Sequence, residues 1–250
     1  MINARLFQYT YTLLSAPVWV LQGIHTKRIA TRLPEASGER CFVVEPPVVA
    51  GKKQVLNVAV IGDSVAAGVG IGALKDALAG HIASQLSERH QVDVKLSVLA
   101  KSGDKIEQLQ AAMKRQQTEA YDYVIISIGV NDAKSFKSSG KWSMQLMELM
   151  SLIEHKFRPQ QILLLAIPPL ERFPLLKKPL ADVLGFRSSR LNAVTSELQK
   201  RASQQFTVVN YQLIPKPSHF TADGFHPNET ASMAIAKTIV DNYLAKPKAR

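Results

Sequence analysis

Hydrophobic positions fall into short blocks whose period switches repeatedly between that of a strand and that of a helix. Val55 to Ile61 is a continuous apolar run broken only by Asn57, the pattern of a strand buried on both faces. Between Leu74 and His90, the residues Leu74, Leu78, Ile82 and Leu86 recur every fourth position and mark one face of a helix. The alternation continues with a strand over Val92 to Leu99 and a helix over Ile106 to Met113. A strand over Tyr123 to Ile128 follows, then a helix around Trp142 to Ile153 and a strand over Ile162 to Ile167. A helix carrying Leu191, Val194 and Leu198, a short strand at Phe206 to Val209 and a closing helix at Ala231 to Leu244 complete the series. Strand and helix alternate with no hairpin signal between them. That order predicts a five-stranded parallel sheet with right-handed helical crossovers, an α/β/α three-layer sandwich. Residues 1–54 precede this region as an apolar segment and an irregular lead-in, and residues 55–250 are expected to form the domain itself.

The first of these segments, Leu6 to Ile24, resists a single assignment. It is apolar at Leu13, Leu14, Val18, Trp19, Val20 and Leu21, yet Gln8, Thr10, Thr12, Ser15, Pro17 and Gln22 interrupt it. A spanning helix needs about 20 predominantly apolar residues, and the stretch around Leu21-Gln22-Gly23 makes a poor export cleavage site. Three readings stay open: peripheral membrane contact through residues 6–24, packing against the protein's own core, and an export signal. A cytoplasmic or membrane-associated location is favoured over export. Residues 25–54, rich in charge, Pro and Gly, read as an irregular connection.

Composition narrows the class. A hydrophobic fraction of 46% and a mean hydropathy of −0.02 fit a globular chain. Cys41 is the sole cysteine, which excludes an intramolecular disulfide and a cysteine-cluster metal site. The net charge of +11 gathers near Lys27, Arg28, Arg32, Arg40, Lys52 and Lys53, near Lys246, Lys248 and Arg250, and in a smaller run at Arg172, Lys177 and Lys178. Nothing resembles a basic helix interleaved with aromatics or a zinc finger, so no nucleic-acid partner is expected. Basic residues directly after an apolar segment suit an anionic membrane surface better. The oligomeric state is not legible.

In parallel sheets, ligands bind beyond the carboxyl ends of the strands, so the residues just after each strand carry the chemistry. Ser64 follows the first strand in Ile61-Gly62-Asp63-Ser64, where Gly62 permits a sharp exit. Gly103 follows the second in Lys101-Ser102-Gly103-Asp104, and Asn131 follows the third in Gly129-Val130-Asn131-Asp132. Asp223 and His226 lie after the fifth, in Asp223-Gly224-Phe225-His226-Pro227-Asn228. An acid three residues before a histidine can hold its imidazole in one tautomer, and an imidazole suits proton transfer near neutral pH. Taken singly, Ser64 also reads as a helix cap, Gly103 as a turn glycine, Asn131 as a cap and His226 as a loop residue. Together they converge on one sheet edge.

With these four blocks in this order, the chain resembles the GDSL/SGNH hydrolase family over roughly residues 55–245. The pattern continues as Gly62-Asp63-Ser64-Val65-Ala66-Ala67-Gly68-Val69-Gly70, with Val65 standing where the leucine that names the motif stands. The resemblance implies a flavodoxin-like sandwich and hydrolysis of carboxylic esters through an acyl-enzyme. It assigns Ser64 as nucleophile, His226 as general base and acid, and Asp223 as the group that orients His226. It builds the oxyanion hole from the Ser64 and Gly103 backbone N–H groups and the Asn131 amide, and it needs no metal or organic cofactor. Short- or medium-chain acyl esters, lysophospholipids and acetylated carbohydrates all remain open as the small-molecule or lipid substrate. So do acyl transfer by the same groups and a non-catalytic lipid- or carbohydrate-binding role. The proline-rich stretch Pro168 to Leu176 is expected to wall or lid the substrate pocket, with a rigid surface loop as the alternative, and Lys177-Lys178 are placed to face an anionic head group.

Overall fold

The computed structural model describes residues 2–47, 54–202, 205–210 and 214–244. Lys52, Lys53, Lys246, Lys248 and Arg250 lie outside the described residues. The apolar blocks become a six-stranded sheet in the order β1-β3-β2-β4-β5-β6. Its parallel members are β2 (Val55–Gly62), β3 (Asp93–Ala100), β4 (Tyr123–Ser127), β5 (Gln161–Leu165) and β6 (Thr207–Val209). The sixth, β1 (Cys41–Val44), runs antiparallel along β3, with Cys41 opposite Ser97 and Val44 opposite Val94. The lead-in expected to be irregular therefore supplies an edge strand. Cys41–Val44 stands between Arg40 and Glu45-Pro46-Pro47, outside the alternation of strand and helix that marks the others, and its pairing partner lies some fifty positions away.

Alternation along each strand divides the core in two. Val58, Val60, Val94, Leu96 and Ile125 face one side, against α3 (Leu78–His90) and α8 (Glu229–Asn242). Ala59, Ile61, Val124, Ile126 and Leu164 face the other. There they meet α4 (Ile106–Arg115), α6 (Ser139–Phe157) and α7 (Leu180–Arg201). Both faces of β2 and β4 are thus covered, which explains why their sequences are apolar throughout rather than alternating. The result is the expected α/β/α sandwich.

Strand order places the functional crevice. From the central β2 the chain passes to β3 on one side, by way of α3, and then to β4 on the other, by way of α4. Because α3 and α4 cover opposite faces, the carboxyl ends of β2 and β4 open into the crevice that such a reversal of strand order creates. A short helix, α5 (Val130–Lys134), stands at the mouth of β4.

The N-terminal apolar segment forms two helices, α1 (Ile2–Leu14) and α2 (Ala16–Ile29), which break at Ser15 before Pro17. Both pack along α7. Tyr11 Oη donates to Asp182 at 2.8 Å and meets Phe186 edge-on, and the Gln22 amide bonds Lys178 O and Leu180 N. Among the described residues no helix is long and apolar enough to cross a membrane.

Candidate active site

Ser64 begins the turn after β2. At Gly62 the backbone takes φ +140°, and a Cβ there would lie 1.9 Å from the Ser127 carbonyl oxygen, so only glycine fits between β2 and β4. This close approach swings the chain out of the sheet and delivers Ser64 to its rim. Asp63 turns inward and is buried, its Oδ1 accepting from Val65 N and from the Ser127 hydroxyl, both at 3.2 Å. Burial pushes the Asp63 carboxyl up to about 7, against the pull of those two donors and of Lys134. Its role is to brace the turn that carries Ser64.

Asp223 and His226 occupy the loop between β6 and α8. Asp223 Oδ2 lies 2.6 Å from His226 Nδ1, while Oδ1 accepts from Thr221 Oγ1, Phe225 N and His226 N. Burial raises the Asp223 pKa, but the His226 backbone and ring N–H groups, together with the other two donors, outweigh it and hold the carboxyl below its usual range. A carboxylate so fixed orients the imidazole, leaving Nε2 as the free ring nitrogen. Asn228 closes the loop by capping α8, its side chain accepting from Ala231 N at 3.0 Å.

Gly103 sits in the turn after β3 at φ +87°, with open space where a side chain would be. A substrate can therefore approach its backbone closely. Sequence reasoning missed what secures this turn: Glu35, in the lead-in, accepts from Ser102 N at 2.6 Å and is itself paired with Arg40. No local signal marks a contact spanning 67 positions. Asn131, on α5, donates one amide hydrogen to Asp104 O at 3.0 Å and keeps its second. Its neighbour Asp132 is fully buried, accepting from Ile106 N and paired with Lys137 at 2.9 Å. The Lys137 ammonium also reaches Glu107 and Gln145, tying α4, α5 and α6 together beneath Asn131.

All five predicted residues line one cavity of about 660 Å³. Ser64 and His226 also border a smaller apolar slot of about 70 Å³, walled by Ile128, Ile167, Pro169 and Phe173. Among the described residues the Ser64 hydroxyl and the Ser64 and Gly103 N–H groups have no protein hydrogen-bond partner. They remain free for a bound molecule. Of the proline-rich stretch, Pro168, Pro169 and Phe173 line the slot, and Leu175 and Leu176 line the cavity. Lys177 and Lys178 do not line either space; Lys178 points to Asp182 at 3.7 Å. The cations that do line the cavity are Lys27, Arg32 and Lys134, the last with its ammonium 4.8 Å from the Phe225 ring centre. The far wall is α2, through Trp19, Val20 and Ile24. Trp19 stacks on Phe136 with ring centres 5.1 Å apart.

An acid–imidazole pair beside an unengaged hydroxyl, facing uncommitted N–H donors, is an arrangement able to attack a carbonyl carbon and hold the resulting oxyanion. No curated protein sequence matches the chain significantly. Among solved structures, a lipolytic protein of the G-D-S-L family from Veillonella parvula superposes with a TM-score of 0.59 at 13% identity, covering 75% of this chain and 98% of that one. The acetylxylan esterase Axe2 from Geobacillus stearothermophilus superposes with a TM-score of 0.54 at 15% identity, over 78% and 97%. The psychrotrophic esterase EstA from Pseudoalteromonas sp. gives 0.55 at 18%, over 74% and 94%. These likenesses establish a shared fold. Residues 60–232, which hold every predicted site residue, match the family model as well, and the chain belongs to the GDSL-like lipase/acylhydrolase family.

Proposed function

We propose that this protein hydrolyses carboxylic esters through a covalent acyl-enzyme on Ser64. The observation that carries the reading is the Asp223–His226 contact of 2.6 Å on the wall shared with Ser64 and the two uncommitted backbone N–H groups. His226 Nε2 takes the Ser64 proton as Oγ attacks the ester carbonyl. Asp223 keeps the imidazole in the required tautomer and stabilises the imidazolium that forms. The oxyanion is held by Ser64 N–H, Gly103 N–H and the second hydrogen of the Asn131 amide, each such donor typically worth about 10²–10³ in rate. His226 then gives its proton to the departing alcohol. Water, activated by the same nitrogen, releases the acid and restores Ser64.

The substrate is read from the cavity. Leu175, Leu176, Leu180 and Leu184, with Trp19 and Ile24 opposite, form an apolar wall suited to an acyl chain of medium length. Esters of p-nitrophenol over a chain-length series test both statements. Turnover is expected to rise from acetate towards the medium-chain esters, and Ser64→Ala to lose about 10³-fold or more in kcat. Full activity in Ser64→Ala would refute the assignment. A monotonic fall with chain length would refute the substrate class.

A further inference from the structure

We propose that the α1–α2 hairpin docks this protein on an anionic lipid bilayer, with the mouth of the cavity facing the lipid. Two independent features of the hairpin point there. The first is its outer face. Leu13, Leu14 and Leu21 are 73%, 85% and 68% exposed, and Leu6, Phe7 and Val18 are exposed beside them, although an apolar face would ordinarily be buried. The second is charge. Residues 1–34 contain Arg5, Lys27, Arg28 and Arg32 and not one Asp or Glu; the first acid of the chain is Glu35. Large apolar side chains with unopposed cations beside them are what an anionic interface binds.

Among the described residues no helix is long and apolar enough to cross the bilayer. The helices have 13 and 14 residues, roughly 20 Å each at about 1.5 Å per residue, against a hydrocarbon core of about 30 Å. The hairpin is moored to α7 by Tyr11 and Gln22, so it can lie along a surface while the body stays outside. A second copy of this chain fits less well. A two-fold contact sets the same patch against itself, so a surface whose first 34 residues carry cations and no acid would face another of the same sign.

The hairpin is also part of the site. Val20, Ile24 and Lys27 are exposed on α2 and line the catalytic cavity at the same time, so the helix that carries the exposed Val18 and Leu21 also walls the cavity. A bilayer pressed against that face presents its lipids directly to Ser64. The substrate class that follows is a membrane-partitioned ester of a lipid. This last step rests on the ester-hydrolase reading; the docking does not.

The test is co-sedimentation of the full chain with vesicles of phosphatidylglycerol in phosphatidylcholine, and with phosphatidylcholine alone. Binding is expected to the anionic vesicles, to weaken with salt, and to fall about tenfold or more in the triple variant Leu13→Asp/Leu14→Asp/Leu21→Asp. None of these leucines lines the cavity. The variant should therefore keep the wild-type melting temperature and its turnover of soluble p-nitrophenyl acetate, while hydrolysis of a vesicle-dissolved ester collapses. Ser64→Ala should bind vesicles as wild type does. Absence of wild-type binding to anionic vesicles, or undiminished binding by a folded triple variant, would overturn the proposal. So would a wild-type dimer in solution that the triple variant dissolves, since the face would then belong to a second copy. Vesicle binding without ester turnover would instead remove only the hydrolase reading.

Discussion

Two acids one turn from the reactive groups have opposite protonation behaviour, and each makes a distinct prediction. Asp223 is held below the usual carboxylate range by four donors, so its contribution to stability is present above about pH 4 and is lost as pH falls through its lowered value. In Asp223→Asn the imidazole loses its acceptor. We expect kcat to drop by about 10²–10⁴ while KM moves little, measured with p-nitrophenyl esters at neutral pH. Asp63 behaves the other way. With a folded value of about 7 against roughly 4 unfolded, it binds its proton more tightly when folded, so stability is highest below about pH 4 and declines until pH passes 7. Asp63→Asn retains the acceptor that both bonds use, since both fall on Oδ1. Thermal melts should show the variant more stable than wild type at pH 8, by an amount on the order of a few kcal/mol, with the difference vanishing near pH 4. Parallel pH profiles for the two proteins would show that Asp63 carries no such penalty. Ser64, Gly103 and Asn131 were legible in the chain because each closely follows an apolar strand block, and Asp223 and His226 because an acid three positions before a histidine stands in the loop before the last helix. The bracing of Asp63 by Ser127, 64 positions away, was not.

Among the elements, α4, α5 and α6 meet at one buried ion cluster, and its integrity decides where Asn131 sits. Lys137 is the counter-ion of a fully buried Asp132. Removing it in Lys137→Met leaves an unpaired buried acid and should cost about 3–5 kcal/mol in urea denaturation. Adding Asp132→Asn should recover part of that loss, because the stranded charge is then gone. Equal stability of the single and double variants would contradict the pairing. The positions of the long elements followed from periodicity, since each repeats its apolar spacing several times. The edge strand β1 did not: Cys41–Val44 lies in a charged, proline-bearing stretch outside that alternation, and pairing with β3 decides its state.

For the molecule as a whole, the N-terminal hairpin is the part that changes the functional picture, because it closes a cavity that the sandwich leaves open. Trp19 joins the two through its stack on Phe136 and its bond to Thr12 O at 2.9 Å. Trp19→Ala should therefore reduce kcat/KM about tenfold more for octanoyl than for acetyl esters, measured on p-nitrophenyl substrates. An equal loss on both would separate the hairpin from the acyl site. The chain by itself determined the alternation of strand and helix, the parallel sheet, and the five residues that gather at its rim. These follow from local periodicity and from the rule that parallel strands end on one edge. Only the tertiary structure decided the antiparallel sixth strand, the clamp of Glu35 on the Gly103 turn, and the meeting of α2 with α7 over Ser64. Each of these joins segments tens to more than a hundred positions apart, and such contacts leave no trace in any local window of sequence.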